Sequence, residues 1–131
     1  MSRSPARSFQ DLVVWQRAHS FVLGVYKASA LFPKKETFDL TAQLRRAAVS
    51  VPANIAEGCG RRGNAEFHRF LQMAMGSASE LEYHLLLSRD LGLLQTDTHS
   101  GLERDVIEVK RMLAGLIGKL RGMTGYTQLT N

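Results

Sequence analysis

Phe67, Phe70, Ala74, Ser77, Leu81, His84, Ser88 and Leu91 follow one another at alternating steps of three and four residues, without a break. That spacing holds one stripe of a helix in one direction for about seven turns, in the manner of a coiled-coil seam. Leu71, Ala78 and Leu85 form a second stripe beside it, and Met73 and Met75 add apolar surface elsewhere around the helix. A helix that is apolar on several sides has to be covered on several sides. The chain is therefore committed to packing helices against helices.

Three more segments repeat the pattern. Leu12, Trp15, His19, Val22 and Tyr26 share a face, with Ser8 and Asp11 in capping-box positions before them, so the spacing predicts a first helix that starts there. It should end near Leu31, because Pro33 pushes Phe32 out of helical geometry. Leu40, Leu44, Ala47, Val51 and Ile55 predict a second helix from about Asp39 to Gly58. Pro52 lies inside it, removing one amide donor and crowding the Ala48 carbonyl, which predicts a kink rather than two helices. Ser50 or Asn54 is placed to satisfy the freed groups. The long third helix should open with Asn64 as its N-cap and stop at Gly92. LLQTDTHSG then leads to a fourth helix carrying Leu102, Val106, Val109, Leu113, Leu116 and Leu120. Strand alternation is absent.

The expected architecture is all-α, an antiparallel up-down-up-down four-helix bundle with a proline-kinked second helix. At 131 residues there is room for one ordinary domain. Residues 9–121 form the bundle in this reading, with a flexible N-terminus at 1–8 and a flexible C-terminal tail at 122–131. The surplus apolar surface of the second and third helices, Phe70, Met73 and Met75 in particular, is assigned to contact with another copy of the chain.

A single cysteine, Cys59, makes neither an internal disulfide nor a multi-cysteine metal site. The polar start, MSRSPARSFQ, has no secretory apolar stretch, and no run approaches membrane-spanning length. These features lead to a cytoplasmic expectation with no membrane partner. The net charge of +5 and pI of 9.8 favour anionic partners without naming one.

Catalytic motifs are scarce. Gly58, Gly60 and Gly63 spell GxGxxG, with Glu80 at a suggestive distance. The dinucleotide fingerprint needs a strand before the first glycine, and the preceding residues are helical by spacing. A helix-to-helix turn is the better reading, with a phosphate held at the start of helix three as a looser one. None of His19, His68, His84 and His99 has glutamate three residues before it, so the Glu-x-x-His ligation of di-iron bundles is missing. Glu80 and His84 read as a buried hydrogen-bonded pair. Arg61 and Arg62 would favour a Cys59 thiolate, but no positioned base accompanies it. No metal, cofactor or catalytic residue is assigned, and the protein is read as non-enzymatic.

Arginines remain. Arg45, Arg46, Arg61, Arg62 and Arg69 cluster along helix two, the turn after it and the start of helix three. Adjacent residues on a helix point about 100° apart. One of Arg45 and Arg46 is therefore expected to turn inward toward Glu57 or Glu80 while the other stays in water. All five are candidates for phosphate contact, with helix-terminal charge compensation as the alternative for Arg61 and Arg62.

The stretches FQDLVVWQRAHSFVLGVYKAS, LFPKKETFDL, TAQLRRAAVSVPANIAEGCGRR and EFHRFLQMAMGSASELEYHL together resemble the four-helix-bundle proteins of the 23S rRNA intervening-sequence family. The resemblance covers roughly residues 9 to 120. It implies an antiparallel four-helix bundle assembled into a ring-like homopentamer. That assembly is similar to the accessory protein of diversity-generating retroelements, a basic pentamer that binds nucleic acid. Arg45, Arg46, Asn54, Glu57, Gly58 and Arg61 match the family's central run, and Gly76, Ser77, Glu80 and Leu81 match its GSxxEL element. Asn54, Glu57, Ser77 and Glu80 are taken as structural polar residues. No active site comes with the resemblance. The function expected is nucleic-acid binding or scaffolding, of RNA foremost and of DNA as a variant. The alternative is a protein-interaction module with no nucleic-acid role.

Overall fold

The periodic segments fold as four α-helices in the computed structural model, which describes residues 8–122 apart from the side chains at 35–38. The helices are α1 (Val13–Ser29), α2 (Lys34–Cys59), α3 (Asn64–Asp90) and α4 (Thr96–Arg121), preceded by a 3-10 turn at Phe9–Asp11. No strand occurs among the described residues. But for Ser8 and Gly122, the flexible ends expected at 1–8 and 122–131 lie outside the described residues. Each helix packs on its chain neighbour, and α4 returns to α1 to close the set. The molecule is an all-α four-helix bundle.

The stripes of α2, α3 and α4 point inward as their spacing requires. Leu44, Val51 and Ile55 from α2, Leu71, Leu81 and Leu85 from α3, and Val106, Val109 and Leu113 from α4 are almost wholly removed from water. Each such aliphatic side chain contributes about 1.5–3 kcal/mol on burial. Both stripes of α3 are used, which explains why its apolar surface exceeds that of a one-sided helix. The seam fails only at its end, where Leu91 is exposed.

Helix α1 departs from the expected face. Val14, Ala18, Phe21, Val22, Val25 and Ser29 are buried, whereas His19 and Tyr26 are exposed and Trp15 is half-buried. The competing stripe Val14, Ala18, Phe21, Val25 keeps the same spacing and carries no polar atom. Trp, His and Tyr, each with a polar tip, move to the boundary where the tip stays wet. Trp15 meets Phe9 edge-on at 4.9 Å and stacks on His19 at 4.9 Å.

Helix boundaries shift for local reasons. The capping box of Ser8 and Asp11 forms, but on the 3-10 turn, so α1 begins after it, at Val13. Helix α1 stops at Ser29 rather than Leu31, and Pro33, extended at ψ 127°, starts α2 five positions before Asp39. Gly63, at φ 85°, takes the N-cap of α3, leaving Asn64 as its first helical residue. Gly92, at φ 78°, ends α3 as expected. Its amide donates to the Arg89 carbonyl and that of Leu93 to the Ser88 carbonyl, the paired bonds of a Schellman motif. Thr96 already opens α4, so the connection is shorter than LLQTDTHSG.

Candidate nucleic-acid interface

Helix α2 carries Arg45 and Arg46 in its first half, and Arg61, Arg62 and Arg69 lie beyond its end. In the first half, Arg45 is half-buried against α1. Its Nε donates to Ser29 Oγ at 2.8 Å and its Nη2 to the Tyr26 carbonyl at 3.2 Å, while the guanidinium lies 4.4 Å from the Tyr26 ring centre. Arg46, one step round the helix, is exposed. The expectation that one of the pair turns inward holds, and the residue is Arg45. Its partners are not the carboxylates of Glu57 or Glu80, which are engaged elsewhere on their own helices.

Glu57 accepts from Arg61 Nη2 at 2.7 Å, and Glu80 Oε2 lies 3.1 Å from His84 Nε2. Both are i,i+4 pairs, one within α3 and one reaching back from the turn just past the end of α2. Glu80 stays largely exposed while the His84 ring is buried, so only one member of that pair lies inside.

The corner between α2 and α3 carries Arg61, Arg62 and Arg69, of which Arg61 and Arg69 lie over Phe70. A Cβ added at Gly58 would stand 2.6 Å from Phe70 Cβ and 3.1 Å from Phe67 Cδ1, so only glycine permits this approach of the two helices. Phe70 is 5% exposed, roofed by the guanidinium groups of Arg61 at 5.0 Å and Arg69 at 4.6 Å from its ring centre. Arg69 in turn donates to Glu66 from Nε at 3.1 Å and Nη2 at 3.2 Å. The hydrogen bond holds the Glu66 carboxyl below its ordinary value and raises Arg69. Among the described residues Arg62 is exposed and makes no ion pair.

Between the two clusters runs a short polar seam. Ser50 Oγ and Ser77 Oγ share a hydrogen bond of 2.8 Å across the helices, and Asn54 Nδ2 donates to the Ser50 carbonyl at 2.8 Å and hydroxyl at 3.0 Å. Asn54, Glu57, Ser77 and Glu80 thus all hold hydrogen-bonded places. Neither Asn54 contact involves the Ala48 carbonyl that Pro52 leaves without its amide. Of the apolar candidates for self-contact, Met73 is 45% exposed, Met75 packs partly against the core, and Phe70 is covered within its own chain.

Among the described residues no group of three His, Cys, Asp or Glu side chains is placed to hold a metal ion. Burial, with the charge of Asp11 added, pushes the Cys59 thiol up and opposes the thiolate that Arg61 and Arg62 would favour. No helix among the described residues is long and apolar enough to cross a membrane.

Sequence reasoning missed Ser29, Tyr26 and Lys34 as neighbours of Arg45. One signal was available: α1 carries Arg17 and Lys27 but no carboxylate, and α2 has none between Asp39 and Glu57.

No curated protein matches the chain. A crystal structure at 1.70 Å of a protein of unknown function from the S23 ribosomal protein family, from Bacteroides thetaiotaomicron VPI-5482, is similar in fold. The TM-score is 0.76 at 24% identity, over 80% of this chain and 98% of that one. The sequence pattern of the 23S rRNA-intervening sequence proteins matches residues 10–115, which takes in three whole helices and most of the fourth. With that span matched and the four helices in place, the chain belongs to the 23S rRNA-intervening sequence protein family.

Proposed function

We propose that the protein is a non-enzymatic, self-associating bundle that binds or scaffolds nucleic acid, RNA in the first place. The observation that carries this reading is the cationic excess on α2 and just beyond its end: Arg46 and Arg62 are exposed without ion pairs among the described residues, in a chain of net charge +5. Assembly as a homopentamer, which the resemblance implies, would repeat that charge around a ring and add phosphate contacts across subunits. Met73 supplies exposed apolar surface for self-contact. A cytoplasmic site of action suits an RNA ligand.

Fluorescence anisotropy with RNA and DNA oligonucleotides at rising salt tests the reading. Binding should weaken steadily as salt increases, by a log-log slope of about 0.7 per phosphate on single strands. No binding at low ionic strength ends it. Light scattering measures the assembly directly, and a monomeric mass removes the ring.

A second reading draws on other residues. Leu23 and Leu31 at the α1 end, and Tyr83 on α3, are each more than half exposed, apolar positions suited to a protein partner. In that case association survives high salt and survives replacement of Arg45, Arg61 and Arg62 by glutamate.

A further inference from the structure

Hollows on the α4 side of the molecule mix charges. One is lined by Glu103 and Glu108 with Arg104 and Arg111, and another by Asp97 and Asp105 with Lys27 and Arg104. An anion entering either meets carboxylates. The two hollows that meet over Arg45 are different. One, of about 330 Å³, lies among Ser29, Phe32, Lys34 and Thr41; the other, of about 470 Å³, lies among Tyr26, Arg46, Val49 and Ser50. Arg45 and Ala42 line both, and among the described residues no carboxylate lines either.

Arg45 is the unusual member. Guanidinium groups fixed in proteins are commonly held by carboxylates, which also neutralise them. This one is fixed by the Ser29 hydroxyl, the Tyr26 carbonyl and the Tyr26 ring, all neutral. Two of its five N–H bonds are used and its full charge is retained. The rotamer freedom that a solvated arginine gives up on gripping a ligand has already been lost in folding. Ser29, 3% exposed, is positioned in turn, with its hydroxyl 3.4 Å from the same Tyr26 carbonyl.

We infer that the cleft between α1 and α2 is a phosphate-binding site, with Arg45 as its anchored donor and Lys34 and Arg46 as its flanking cations. A planar fork matched to phosphate oxygens, two exposed cations beside it and Thr41 on the wall suit a phosphate better than a carboxylate, which carries fewer oxygens to share among them. The inference rests on the nucleic-acid reading for the source of the phosphate, an RNA backbone, and not for its chemistry.

The test uses the full chain and two probes. Inorganic phosphate is titrated at constant ionic strength while the arginine Nε–H resonances are followed by NMR. The Arg45 resonance should move saturably with phosphate and stay in place when chloride is substituted; an unmoved resonance overturns the site. A single-stranded RNA dodecamer is then compared across variants. Lys34→Glu combined with Arg46→Glu changes two exposed residues and should lower RNA affinity at least tenfold more than Arg62→Glu combined with Arg69→Glu. Equal losses overturn the cleft as the place where RNA is gripped. RNA that fails to bind the unaltered protein while phosphate still moves Arg45 defeats the nucleic-acid reading and leaves the phosphate site standing.

Discussion

Arginine is held in two opposite ways at the contacts α2 makes with its two neighbours. At the cleft with α1, Arg45 is anchored by neutral acceptors and keeps its charge. At the corner with α3, Arg61 and Arg69 lie on the Phe70 ring and pair with Glu57 and Glu66, so most of their charge is answered on the spot. The corner spends its arginines on covering an aromatic ring; the cleft keeps one in reserve. What separates them is a carboxylate within reach: Glu57 and Glu66 pair with Arg61 and Arg69, whereas no ion pair holds Arg45 among the described residues.

The contrast can be broken at several points. Gly58→Val should have the largest effect, because the added atoms must displace Phe70 or spread α2 from α3. Overpacking of this kind costs roughly 2–3 kcal/mol in urea unfolding, more than helix propensity returns. A loss under about 1 kcal/mol would show a corner that yields, and with it a weaker case for glycine at that position.

Arg45→Ala comes next, at about 1.5–2 kcal/mol, since it removes two charge-assisted hydrogen bonds and a cation–π contact from a half-buried place. Ser77→Ala deletes the hydroxyl bond to Ser50 and should cost about 1 kcal/mol by the same measurement. Arg61→Ala breaks an exposed i,i+4 pair and removes one of two guanidinium groups over Phe70, and should cost about 0.5–1 kcal/mol. If Arg61→Ala proves as damaging as Arg45→Ala, the distinction between cleft and corner is gone.

The smallest effect is one of pH. His68, on the inner side of the corner helix, is held below its ordinary value of 6.5 by burial, with the charge of Arg121 added. The unfolded chain therefore takes up this proton first. Stability should fall as pH drops through about 6.5, until the folded imidazole is also protonated. His68→Gln should flatten the change in Tm between pH 7.5 and 5.5, and an equal slope in the variant would assign the loss to other groups.

Much of the bundle can be read from spacing alone, since α2, α3 and α4 bury most of the residues their periodicity marks. Helix α1 admits two registers of equal period, and counting Trp15, His19 and Tyr26 as apolar selects the wrong one. Their polar tips are the discriminating fact, and periodicity does not weigh them. Pro33 shows the same limit at a boundary: it was visible as the end of one helix, and only the structure shows it as the start of the next.

The site was legible in part. The arginines stand out, and so does the principle that one of an adjacent pair turns inward. Which one was not legible, because a search for an inward arginine's partner looks for carboxylates. Arg45 uses a serine hydroxyl and a backbone carbonyl from the preceding helix, groups that leave no charge pattern in a sequence. Gly58 carried a motif that drew attention to phosphate, whereas its place is explained by the Phe70 side chain pressed against it.

Trp15 is the only tryptophan in the chain, and it lies between Phe9 of the 3-10 turn and His19 of α1, at the edge of the core rather than within it. Its emission consequently reports the attachment of the leading turn, while circular dichroism reports the four helices. Denaturation followed by both signals should separate in midpoint if that turn lets go before the bundle does. The protein thus carries its own optical gauge of local detachment, placed where no dye is needed.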